Sequence, residues 1–119
     1  MLFRSQNLSH KMQVRSTTLD LFVSRQGIQK IDFIKVDIQG AEGLFIQGAK
    51  KTLSATSPCL LIEISAQELR ENKLTPTSIF KDLFNLGYRN FFTLSKNGSY
   101  GNKIDIDKVS DLFCASIVV

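Results

Sequence analysis

The sequence predicts an α/β fold in which helices flank a mostly parallel sheet whose last strand is antiparallel. Three observations lead there. Short apolar runs alternate with segments of helical period between residues 31 and 94. The runs hold too many apolar residues for strands with one face in water, which is the pattern of buried parallel strands. The pair Asn97-Gly98, followed by a closing apolar run, signals a tight turn and an antiparallel end. At 119 residues the chain fits one domain, long enough to bury roughly two thirds of the surface its unfolded form exposes.

Each element has its own signal. In "TTLDLFVSRQG" Leu19, Phe22 and Val23 share one helical face, Thr17 or Thr18 can cap the start and Gly27 can end it. "IDFIKVDI", 31–38, is β-branched and aromatic and too short for a helix, so it reads as a buried parallel strand. After Gly40, residues Ala41, Leu44, Phe45, Ala49 and Leu53 recur at the spacing of one helix face. Gly43 and Gly48 inside that helix point to close backbone packing or a break near Gly48. "PCLLIEI", 58–64, is a second apolar strand, which a right-handed crossover places beside the first. In "TPTSIFKDLFNLGY" Thr75 caps a helix, Pro76 opens it, Ile79, Phe80, Leu83 and Phe84 form its buried stripe and Gly87 stops it. "YRNFFTL" and "FCASIVV" read as the third and fourth strands. Residues 1–16 are expected to be a mobile opening segment or an edge strand, with the domain proper at 17–119.

Composition excludes several classes. Apolar residues make up 43% and charged residues 22%, with no biased tract, as in globular chains. The charge of +4 is scattered, which gives no polyanion-binding stripe. "GAEG" at 40–43 has the glycine spacing of some RNA-clamping loops, but its glutamate and the lack of an aromatic and basic stripe argue against nucleic acid. The start lacks the apolar core of a secretory signal, and no stretch reaches the ~20 apolar residues of a membrane span; the expected location is the cytoplasm. Cys59 and Cys114 sit in apolar runs without nearby histidines, so they read as reduced core residues rather than metal ligands.

In open α/β sheets, ligands collect outside the carboxyl ends of the strands. Asp37, Gln39, Gly40 and Glu42 lie at that end of the first strand and Glu63 at that end of the second. Two roles are open to Asp37 and Gln39: capping the helix that follows, or acting on a ligand. Lys35 reads as an ion-pair partner for a neighbouring carboxylate. His10, the single histidine, lies in the polar opening segment and is set aside as a base.

Thr18-Leu19-Asp20, Ile34-Lys35, Asp37, Gly40-Ala41-Glu42, Gly48-Ala49 and Glu63, in this order and spacing, make the chain resemble the FkbM family of S-adenosylmethionine-dependent methyltransferases. The resemblance implies the C-terminal half of a partial Rossmann-like methyltransferase sheet. It implies methyl transfer from S-adenosylmethionine to an acceptor, most often a hydroxyl oxygen of a sugar or small molecule. On that reading Asp37 orients or deprotonates the acceptor, Gln39 and Glu42 position it, and Lys35, Gly40 and Glu63 help to bind it, with no metal. Two departures stand out. The family has glutamate where this chain has Gln39, and an amide cannot take the proton a carboxylate takes. None of the seven glycines makes a G-x-G-x-x-G after a strand, so most of the cofactor site would lie in another half of the domain. The alternative is a non-catalytic half-domain that associates with a partner chain, or with a second copy, through an open sheet edge.

Overall fold

The computed structural model describes residues 2–4 and 11–119. His10 lies outside the described residues, as does the whole segment between the first two strands. Leu2–Arg4 (β1) and Lys11–Gln13 (β2) pair antiparallel in a ribbon separate from the main sheet. The main sheet has five strands. They are Phe33–Val36 (β3), Cys59–Ser65 (β4), Phe92–Leu94 (β5), Tyr100–Lys103 (β6) and Cys114–Val118 (β7), in the order β3-β4-β7-β5-β6.

Strands β3 and β4 pair in parallel, as the crossover rule requires. The other three ladders are antiparallel, because the last strand inserts between β4 and β5 rather than adding at an edge. The sheet is therefore not mostly parallel by its ladders, although β3, β4 and β5 all run the same way. The Asn97-Gly98 turn, with Gly98 at φ 84°, closes the β5–β6 hairpin.

All the buried strand residues face one side. In β4, Leu60, Ile62 and Ile64 are buried, while Cys59, Leu61, Glu63 and Ser65 point the other way. Val36 and Ile117 join the buried side, where Ile46, Leu53, Leu69, Ile79, Phe80, Leu83 and Phe91 complete one core. Phe80 anchors it through edge-on contacts with Phe91 and Phe113. The buried hydroxyl of Tyr88 donates to the Pro58 carbonyl at 2.7 Å, and burial pushes its pKa up to about 12.

The helices follow their end signals. Helix α1, Leu19–Gln26, has Thr18 accepting from the Leu21 amide and Gly27 in the left-handed conformation at its end. Its apolar stripe stays largely uncovered, with Phe22 exposed. The predicted helix after Gly40 is broken near Gly48 into α2, Glu42–Gln47, and α3, Lys50–Thr56. Its buried face differs from the expected one: Leu44 is exposed, while Glu42, Gly43 and Ile46 are buried. A short helix, Ala66–Glu71 (α4), follows β4 directly, with Ser65 as its cap; nothing in its six residues has a long enough period to announce it. Helix α5, Pro76–Asn85, carries the full capping box of Thr75 and Ser78.

Two expectations about burial are corrected. Strand β3 supplies the expected open edge, but with Phe33 55% exposed it is not a strand buried on both faces. Cys59 and Cys114 are free thiols, but both are exposed. They belong to β4 and β7 on the sheet face that no described helix covers. Their apolar neighbours in sequence are the residues of the opposite, buried face. Among the described residues no helix is long and apolar enough to cross a membrane.

Candidate functional site

The uncovered sheet face carries the candidate site. Lys35 pairs in register with Leu61, and continuing that register beyond Val36–Ile62 sets Asp37 level with Glu63. The parallel pairing thus brings the carboxyl ends of both strands to one side of the molecule, with Asp37 one residue past the last paired position. Glu63 is paired across with Ser116, whose hydroxyl lies 3.4 Å from Glu63 Oε2. A crevice of about 170 Å³ opens here, lined by Lys35, Leu61, Glu63, Lys96 and Ser116, with Leu94 and Ser95 as a far wall. The wall exists because the β5–β6 hairpin is held by Ser95, Asn97 and Ser99, whose hydroxyl and amide groups bond one another. Ser95, Lys96 and Ser116 were not legible as site residues, since only the insertion of β7 brings them beside β4.

Asp37 and Gln39 are both exposed, and among the described residues neither side chain forms a hydrogen bond. Capping is not their role: the cap of α2 is Ala41, with no side-chain bond. Gln39 stands in the left-handed region at φ 52°, an uncommon conformation for a residue with a side chain. Gly40 follows at φ 98° and is held against α4, where a Cβ would lie 2.4 Å from the Glu68 carbonyl oxygen. Asn72 Nδ2 donates to the Gly40 carbonyl at 2.9 Å. The loop that presents Asp37 is therefore strapped to α4 from beneath.

Glu42 is placed inside the protein rather than in the crevice. It is 2% exposed, and its Oε2 has no hydrogen-bond partner. Burial raises its pKa above the ordinary value; the amides of Glu42, Ile38 and Gly40 favour the charged form, and the charge of Glu68 opposes it. Gly40 and Glu42 thus shape the loop from below without lining the open face. Lys35 reaches the crevice, but no carboxylate lies within 4 Å of it among the described residues, so the expected ion pair is absent.

The motif residues ahead of β3 form a structural clasp. Asp20 Oδ1 accepts from the Thr52 amide at 2.8 Å and the Thr52 hydroxyl at 2.7 Å, and Oδ2 accepts from the Lys51 amide at 3.1 Å. Asp20 therefore serves α3 as a cap that Ala49 cannot supply. Its amide donates to the Gly48 carbonyl at 2.9 Å. A Cβ on Gly48 would lie 2.9 Å from Thr18 Cβ, so the two helices meet only because residue 48 is glycine. The long-range pairing of Thr18-Leu19-Asp20 with Gly48-Ala49 explains why these separated residues occur together.

The model of the "Methyltransferase FkbM domain" matches residues 2–90. This chain belongs to the FkbM methyltransferase family. It is also similar to the 2-O-methyltransferase NoeI of Sinorhizobium fredii (strain NBRC 101917 / NGR234), with 41% identity over 63 residues. That alignment covers 53% of this chain and 26% of the relative, so the match spans about a quarter of the relative's length. No solved structure matches the chain. The clasp, the strapped loop and the Lys35–Glu63 crevice all draw on residues within the FkbM match, while Ser95, Lys96 and Ser116 come from beyond it.

Proposed function

We propose that this FkbM chain forms the acceptor side of an S-adenosylmethionine-dependent O-methyltransferase, in the C-terminal half of a Rossmann-like sheet. The acceptor is a hydroxyl group of a sugar or similar small molecule. What supports this reading is the parallel pairing of β3 with β4 through Val36–Ile62, which leads Asp37 and Glu63 toward the same end of two adjacent strands. The similarity to a named 2-O-methyltransferase supports the choice of oxygen as acceptor.

The described residues do not by themselves fit the methyl donor. Gly40, the one glycine just after a parallel strand, is packed against the α4 backbone and leaves no open cradle. The end of β4 runs straight into α4, with Ser65 as cap. Donor binding is accordingly assigned to protein outside these residues.

What this chain supplies is positioning and a base. Asp37 accepts a hydrogen bond from the acceptor hydroxyl and takes its proton as the oxygen becomes nucleophilic, a contribution of about 10²–10⁴ for general bases. Glu63 and Lys35 orient the acceptor, and holding the oxygen in line is itself a large part of catalysis. Gln39 can donate and accept but cannot share the base role. Gly40 and Glu42 act through the loop, fixing where Asp37 stands.

The test is methyl transfer from labelled S-adenosylmethionine to hydroxyl acceptors, by this chain and by a hybrid in which this chain replaces the matching part of NoeI. Transfer by the hybrid is expected, with Asp37→Asn lowering it by at least about a hundredfold. A folded, donor-binding hybrid that works equally well with Asp37→Asn would refute the assignment.

A further inference from the structure

We infer that the crevice between β3, β4, β7 and the β5–β6 turn is a subsite for an anionic sugar, one bearing a carboxylate or phosphate beside free hydroxyls. This inference rests on the acceptor-side reading above and narrows it to a substrate class.

The polar groups that line the crevice divide into committed and free ones. The Ser95 hydroxyl is committed to the hairpin turn, bonded to Ser99 and Asn97. The Ser116 hydroxyl lies 3.4 Å from Glu63 Oε2, too long a contact to occupy either group. The free groups are the Glu63 carboxylate, the Ser116 hydroxyl and the ammonium groups of Lys35 and Lys96. Neither lysine has a carboxylate within 4 Å among the described residues, Glu63 included. Two cations and one anion in a concave site favour a ligand with negative charge. The carboxylate of Glu63 imposes a second condition. It accepts hydrogen bonds and donates none, so a bare anion meets repulsion there, whereas a hydroxyl donor is satisfied.

A ligand that meets both conditions carries its charge toward the lysines and a hydroxyl toward Glu63. The apolar side chains of Leu61 and, in the far wall, Leu94 suit the carbon face of a sugar ring. The volume, about 170 Å³, is below the ~300 Å³ at which pockets take whole drug-sized ligands. It matches a single ring rather than an extended chain.

The experiment titrates the protein with glucuronate, glucose 6-phosphate, glucose and inorganic phosphate, following backbone amide shifts at Lys35, Glu63, Lys96 and Ser116 by NMR at low salt. At least one anionic sugar is expected to bind roughly tenfold tighter than glucose, about threefold for each exposed lysine; the tighter of the two identifies the anion. The double variant Lys35→Ala, Lys96→Ala should remove that margin, costing the anionic sugars roughly tenfold more affinity than it costs glucose. Glu63→Gln should weaken both sugars yet strengthen inorganic phosphate. All three side chains are exposed, so the variants are expected to fold. Equal affinity for glucose and the anionic sugars overturns the inference, as does phosphate binding as tightly as the sugars, or shifts confined to other faces. No methyl donor is present, so a chain that transfers no methyl group can still pass. Methyl transfer to a neutral acceptor with no anionic preference would sink this inference alone.

Discussion

Replacing Asp20 tests whether the leading motif of this FkbM chain is structural or catalytic. Its carboxylate holds two backbone amides and one hydroxyl of α3, across more than thirty residues of sequence. Losing an N-cap acceptor costs about 0.5–2 kcal/mol, and charge-assisted bonds lie at the stronger end. Asp20 is only partly buried, so solvent and salt reduce the charge contribution. Asp20→Ala should therefore cost about 1–2 kcal/mol, or ~4–10 °C in melting temperature for a domain of this size. Asp20→Asn keeps one acceptor and should lose about half as much. The effect has a pH signature. Burial alone would raise the carboxyl pKa, but the Thr52 amide and hydroxyl, the Lys51 amide and the Lys51 charge together bring it below 3.8. A lowered pKa contributes stability above the unfolded value that is lost as pH falls through the folded one. The gap between native protein and Asp20→Ala should hold at neutral pH and narrow below pH 3.8. Thermal and urea unfolding followed by circular dichroism measures both. An unchanged melting temperature at neutral pH, or a gap that stays constant into strong acid, would refute the capping account.

Three further outcomes follow from the same geometry. Gly40→Ala places a Cβ 2.4 Å from the Glu68 carbonyl oxygen at φ 98° and should destabilise the protein by more than about 1 kcal/mol in urea titrations; a neutral effect would mean that the loop is not strapped to α4. Glu42→Gln should gain stability relative to the native protein as pH rises above 4.5, because a raised carboxyl pKa contributes stability at low pH that is lost as pH rises through the folded value. A pH-independent difference between those two proteins would contradict the buried, charge-disfavouring site. The Cys59 amide donates to the Asp32 carbonyl, so the parallel ladder turns the backbone groups of Phe33 and Lys35 outward, a free template for another strand. The chain alone should show concentration-dependent association in sedimentation, and Phe33→Pro, which removes an outward N–H and no ladder bond, should reduce it. A strict monomer at high micromolar concentration would count against the open edge.

Local chemistry made much of the fold legible. Thr18 and Gly27 around α1, Thr75 and Pro76 at α5, and Gly98 in the hairpin act within one turn of the chain, so their signals survive in the sequence. The parallel pairing of β3 with β4 was legible for a different reason: a helical crossover leaves few other arrangements. Burial was less so. The apolar runs of β3 and β4 suggested strands covered on both sides and core cysteines, yet Phe33, Cys59 and Cys114 look outward. Hydrophobicity records that a surface suits burial, not whether something covers it.

The sequence by itself determined the order of α1, β3, the helical stretch after Gly40, β4, α5, β5 and β7, and the family, because periodicity, caps and a recurring motif are written in local spacing. Only the tertiary structure decided that β7 enters between β4 and β5, building the crevice of Lys35, Glu63, Lys96 and Ser116. It also decided that Glu42 is buried while Asp37 is free, and that Asp20 caps a helix far along the chain. Those outcomes depend on which distant backbone groups meet, and a contact between distant segments leaves no periodic trace in either of them.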